Sequence, residues 1–195
     1  MGKIFYVMGK SSAGKDTIYR RLMEAYDLST VVLYTTRPMR EDETDGREYH
    51  FVTESEMKRL QAAGKVIEMR AYSTVHGIWY YFTVDDGQID LAERNYLLIG
   101  TLESYQRMKE YYGAEAFVPL YIEVEDGLRL ERALQREKRQ SEPKYAELCR
   151  RYLADERDFA GENLRAAGID RHYQNTNLEE CLAQIGQTMK LAGMR

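Results

Sequence analysis

Five apolar residues, Ile4 to Met8, run straight into Gly9-Lys10-Ser11-Ser12-Ala13-Gly14-Lys15-Asp16-Thr17, and this junction constrains the fold more than any other stretch of the chain. Glycine tolerates positive φ and close backbone approach, so successive N–H groups of residues 9 to 15 can converge on an anion. Apolar side chains then recur every four residues, at Ile18, Leu22 and Tyr26, which predicts a helix starting near Lys15. A strand, a glycine turn and a helix N-terminus in that order make a phosphate site. The partial positive charge of the helix end and the Lys15 ammonium add to the loop amides. The residue after the lysine is Asp16, where such loops carry serine or threonine. A carboxylate is a hard oxygen ligand suited to Mg²⁺, so Asp16 is the candidate metal residue, directly or through a metal-bound water, with Thr17 turned away around the helix.

Beyond the loop, short apolar runs alternate with amphipathic ones, the pattern of a parallel sheet flanked by helices in an α/β chain. Strands are expected over 4–8, 31–34, 96–99 and 117–124. An arginine-rich helix carrying Leu128, Arg132 and Leu134 is expected after Asp126. Thr53 with Glu56, and Asn177 with Glu180, have the spacing of helix caps. Residues 34–83 break the alternation and read as an inserted β-rich lobe, in which Trp79 to Phe82 form a packing strand. Asp85 and Asp86 are expected to cap a following helix. The charged run 136–147, interrupted by Pro143, is the nearest thing to a linker. With 195 residues, 44% apolar and 31% charged, the expectation is one soluble cytoplasmic domain. No stretch reaches the roughly 20 apolar residues of a membrane span. A net charge of −4 excludes the global basic field of a nucleic-acid binder. Cys149 and Cys181 lack metal or redox spacing and read as buried or half-buried thiols.

The second informative stretch is "YTTRPMREDETDGREYHF", residues 34 to 51. Two arginines and a tyrosine hydroxyl suit a phosphate dianion through charge-assisted, bidentate contacts. Here the chain resembles guanylate kinases, whose acceptor site carries TTRxPR, a glutamate three residues on, then NGxxY and a phenylalanine. The corresponding residues are Thr35-Thr36-Arg37, Arg40, Glu43, Asp45-Gly46, Tyr49 and Phe51. The resemblance implies a three-layer P-loop NTPase fold, with a parallel core sheet over 1–33 and 84–195, a nucleoside-monophosphate lobe over about 34–83 and a helical lid over about 136–150. It further implies that Glu68 recognises the acceptor base, that Arg132 and Arg136 border the lid with Arg150 or Arg151 across it, and that Asn175 contacts the donor adenine. ATP and Mg²⁺ are the implied cofactors. Small-molecule nucleotides are the implied partners, without nucleic acid or membrane, in a monomer or homodimer.

The chain departs from the family's pattern at four places. Asp16 replaces the magnesium-binding hydroxyl residue, and Leu33 stands where a phosphate-contacting serine is usual. Ile99-Gly100-Thr101 replace an aspartate pair, and His76 falls where a second phosphate-contacting tyrosine is expected, as a hydrogen-bond donor to the acceptor phosphate or as a turn residue or stacked ring. The sequence after the loop lysine and the glycine-hydroxyl pair also resemble ribose 1,5-bisphosphate phosphokinases of the same fold. The arginine-glutamate-glycine-tyrosine run favours a nucleotide acceptor, GMP or dGMP, ahead of another nucleoside monophosphate and of the sugar phosphate. Guanylate-kinase-like modules that bind phosphopeptides are the rival of another class. They typically lose the loop lysine that this chain retains as Lys15.

Overall fold

β1 (Ile4–Met8) is buried along all five residues because it is sandwiched on both faces. In the computed structural model, which describes residues 1–74 and 77–194, Ile4, Tyr6 and Met8 point into one apolar layer, and Phe5 and Val7 into the other. Such two-sided burial is the signature of an interior parallel strand. β1 pairs in parallel with β6 (Tyr96–Ile99) and with β7 (Phe117–Glu123), and β7 with β8 (His172–Gln174), giving the order β6-β1-β7-β8. Helices α1 (Lys15–Ala25) and α7 (Leu178–Leu191) supply Ile18, Leu22, Cys181, Ile185 and Met189 to one layer. Helices α3 (Leu102–Tyr112) and α6 (Gly161–Ala166) supply Leu102, Tyr105, Met108 and Leu164 to the other. The result is the parallel sheet between helical layers that the alternating pattern predicts, and the three-layer P-loop NTPase architecture that the resemblance implies.

A second sheet, β3-β2-β5-β4, is built from β2 (Tyr34–Thr35), β3 (His50–Phe51), β4 (Val66–Thr74) and β5 (Gly77–Val84). It packs on α2 (Glu54–Ala62) through Met57, Phe82 and Val84. The aromatic run 79–82 is part of β5, so it serves as a strand. The caps at Thr53 and Asn177 form as their spacing predicts. Thr53 accepts from the Glu56 N–H, and the Asn177 side chain accepts from the N–H groups of Glu179 and Glu180.

Three expectations are corrected. Residues 31–33 do not form a core strand, because the Val32 N–H and C=O are taken by the Gln88 carboxamide at 2.8 and 3.1 Å in place of a ladder partner. Only Ser29 bridges Tyr96 beside the core sheet, and Tyr34 joins the second sheet. Asp85 and Asp86 cap no helix. Asp86 accepts from the Tyr34 hydroxyl and the Gln88 N–H, and Asp85 from the Tyr111 hydroxyl. Cys149 is exposed on α5 (Tyr145–Asp158), whereas Cys181 is buried. No helix among the described residues is long and apolar enough to cross a membrane.

Candidate active site

The glycine loop leaves β1 and turns into α1 through Gly14, which holds φ 88° as the N-cap, a left-handed conformation that explains why glycine stands there. Lys15 sits on the first turn, and its Nζ donates to the Lys10 carbonyl across the loop at 2.9 Å. Burial lowers the Lys15 pKa, while the carboxylates of Asp155 and Asp16 act in the opposite direction. Ser12 adopts φ 65°, and its buried hydroxyl oxygen has no hydrogen-bond partner. An orphaned buried hydroxyl beside converging amides and an ammonium fits a phosphate oxygen.

α4 (Asp126–Lys138) crosses above the loop. It brings Arg132 and Arg136, four residues apart on one helical face, to a recess of about 220 Å³ shared with Ser12, Gly14, Lys15, Asp16 and Thr17. Arg151 of α5 reaches the neighbouring space with Ser11, Ser12 and Arg136, and its buried Nε makes no hydrogen bond but lies 3.6 Å from a Glu147 oxygen. Arg150 points away and grips Glu147 at the surface with two contacts of 2.7 Å. Of the two candidates across the lid, Arg151 is therefore the one that faces the loop. Asp16 is exposed at the recess and supplies one carboxylate oxygen set. No group of three or more metal-binding side chains occurs among the described residues. One carboxylate beside a phosphate site nevertheless suits Mg²⁺, which is commonly held by few protein oxygens together with phosphate oxygens.

Two loop-side residues take supporting places. The Asn175 amide donates to the Ala13 carbonyl at 2.8 Å from a position 5% exposed, and a Cβ at residue 14 would collide with it. Asn175 thus braces the loop from beneath instead of lying open to a base. Lys10 turns outward to Glu156, at 2.7 and 2.8 Å, and to Asp126 at 3.4 Å. Sequence reading missed the centre of this network, Arg129, whose side chain is 1% exposed and binds Asp126, Asp155 and Glu156. Asp155 also accepts the Ser11 N–H at 2.7 Å, tying α5 to the loop. Only the arginine density of 129–157 hinted at it.

On the acceptor side, Gly46 turns at φ 80°, and its N–H donates to the Tyr49 carbonyl, closing a short loop. Arg37 forks onto Glu43 at 2.6 and 2.9 Å and lies over the rings of Tyr49 and Phe51. The pairing drives the Glu43 carboxyl down to about 2. Tyr49 lines a cavity of about 360 Å³ between the two sheets. Arg37 and Glu43 stand behind it, and Arg40 is exposed with its N–H on Glu43. Arg47, which the motif did not single out, lines the cavity instead. Glu68 is buried, with one oxygen accepting from Thr83 at 2.7 Å and the other 3.2 Å from the Nε of Arg70. His76 lies outside the described residues. Tyr19 of α1, one turn after Lys15, lines the same cavity, so loop recess and cavity lie one helical turn apart. One of the departures, Ile99-Gly100-Thr101, acquires a cause at two of its residues. A Cβ at residue 100 would collide with the Tyr6 hydroxyl, and the Thr101 hydroxyl caps α3 by accepting from the Ser104 N–H at 3.2 Å.

A glycine loop between the central parallel strand and a helix, lined by arginines and set beside a second cavity under the second sheet, defines a P-loop protein with two neighbouring recesses. The family model described as guanylate kinase matches residues 1–86. The guanylate kinase of Bordetella pertussis is 36% identical over 137 residues, covering 66% of this chain and 61% of that protein. The Salinibacter ruber guanylate kinase is 33% identical over 117 residues, covering 59% and 61% respectively. The chain thus spans about three fifths of the length of these curated relatives. A crystal structure of guanylate kinase from Anaplasma phagocytophilum shares the fold, with TM-score 0.60 and 22% identity over 100% of this chain and 87% of that one. The chain is thus similar to guanylate kinases in sequence over part of its length and shares their fold.

Proposed function

We propose that the chain is a cytoplasmic guanylate-kinase-type enzyme that transfers the terminal phosphoryl group of ATP to GMP or dGMP, giving ADP and the nucleoside diphosphate. The observation that carries this reading is the convergence of Lys15, Arg132 and Arg136 on the loop recess, one helical turn from a cavity large enough for a nucleotide. Phosphoryl transfer asks little covalent chemistry of a protein and much positioning and charge stabilisation. The loop amides, the Ser12 hydroxyl and Lys15 hold the donor phosphates. Arg132, Arg136 and Arg151 neutralise the transferring group. Arg40, Arg47 and Tyr49 receive the acceptor phosphate, with Arg37 and Glu43 bracing Tyr49 from behind. Asp16 would hold Mg²⁺, which when bound offsets charge on the donor phosphates. On this reading residues 1–33 and 84–195 are the core, about 34–83 the acceptor lobe and about 136–150 a lid whose closure excludes water.

An ADP-release assay across GMP, dGMP, AMP, UMP and ribose 1,5-bisphosphate tests the proposal. GMP and dGMP are expected to give the highest kcat/KM, and Lys15→Ala to lower turnover by at least about 10²–10³-fold, the usual loss when a charge-stabilising group is removed. Near-normal turnover in Lys15→Ala, or preference for the sugar phosphate, would overturn it.

A further inference from the structure

The wall of the acceptor cavity differs from what the family resemblance implies. Glu68, the expected base-recognising carboxylate, has a side chain only 2% exposed, with one oxygen accepting from Thr83 and the other in an ion-pair contact with the Arg70 Nε, which makes no hydrogen bond. It does not line the cavity. Arg70 does, two residues along the same face of β4, together with Tyr6, Thr83 and Ser104. Arg70 thus reaches the ligand space while its closest approach to Glu68 is through Nε, at 3.2 Å. Around it the cavity floor carries the buried hydroxyl-bearing residues Tyr6, Thr83 and Ser104 and the apolar Leu98, Ile99 and Met108.

Charge decides what such a floor can take. The Arg70–Glu68 pair is neutral overall, so it offers directed N–H donors without a net positive charge. A phosphate dianion placed there would lose its hydration for little compensation, whereas an uncharged base edge would not. A planar fork of N–H donors matches the O6 and N7 acceptors of guanine, the two-pronged contact by which arginine reads that base elsewhere. We infer that Arg70, positioned by Glu68, is the residue that selects the acceptor base, and that it reads the O6/N7 edge. This rests on the proposed guanylate-kinase-type activity and adds to it the atoms by which the base is chosen.

The two edges of guanine make the inference testable, because IMP keeps O6 and N7 but lacks the 2-amino group, while AMP presents a 6-amino donor to the donors of Arg70. With the full chain and ATP, kcat/KM for IMP is expected within about tenfold of that for GMP, and AMP at least about 100-fold lower. Arg70→Lys keeps the charge opposite Glu68 but loses the fork. It is expected to raise KM for GMP and IMP together, by about 10–100-fold, with a smaller change in kcat, the range of one bidentate base contact. The double variant Glu68→Gln/Arg70→Met removes both charges without leaving one buried alone, and should show the same joint loss. If wild-type enzyme phosphorylates GMP but disfavours IMP by more than 100-fold, or if Arg70→Lys leaves the KM for GMP within twofold, the inference fails and the activity stands. Absence of any turnover of GMP would overturn both.

Discussion

Glu43 is the residue where electrostatics can be followed most directly. Arg37 and the Arg40 N–H hold its carboxyl at about 2, below the ordinary carboxylate value near 4.5. A depressed carboxylate stabilises the fold fully above its unfolded pKa and loses that contribution as pH falls through the folded one. The second sheet, which carries the only tryptophan, Trp79, should therefore loosen between about pH 4.5 and 2. Tryptophan fluorescence across that window should report the transition, and Glu43→Gln should flatten it. An unchanged acid profile in that variant would assign the loosening to other carboxylates. The same residue illustrates what sequence conveys. Arg37, Glu43, Gly46 and Tyr49 lie within one short stretch, so their fixed spacing announced a joint role. The Arg70–Glu68 pair lay in plain view on one strand face, yet only the fold determines which of the two meets the cavity.

At the scale of elements, the joint between α4, α5 and the glycine loop depends on Arg129. Its buried guanidinium serves three carboxylates and lies 4.0 Å from the Tyr152 ring centroid. Arg129→Met removes one partner from each of those carboxylates, which keep Lys10 and the Ser11 N–H, and is expected to cost about 1–3 kcal/mol in urea unfolding. Arg150→Ala, which breaks only the exposed contacts to Glu147, should leave the urea midpoint where it is. Equal losses in both variants would deny Arg129 its place at the joint. Elements written in local periodicity were legible: β1, α1, the caps at Thr53 and Asn177, and the arginine face of α4. Those decided by distant partners were not. Residues 31–33 look like a strand but are claimed by Gln88, and Asn175 braces a loop 162 positions away.

For the whole molecule, the proposed function makes the loop recess and the second cavity two separate sites, one for each nucleotide. A non-hydrolysable ATP analogue with GMP, each near 100 times its Kd, should add about 2.7 kcal/mol per ligand to stability. For a chain of this size that corresponds to a rise in Tm of roughly 5–10 °C for each ligand, measurable by thermal scanning. No shift with either ligand would contradict the two-site reading. The architecture also limits how the chain can change. The Tyr6 hydroxyl occupies the volume that any side chain at residue 100 would need, where the chain has just left the strand beside β1. Substitution at residue 100 alone therefore meets a clash, and shortening Tyr6 alone opens a hole in the cavity floor. A carboxylate at position 100 becomes reachable only after Tyr6 has been cut back, so the sequence of mutational steps is fixed by a single oxygen atom.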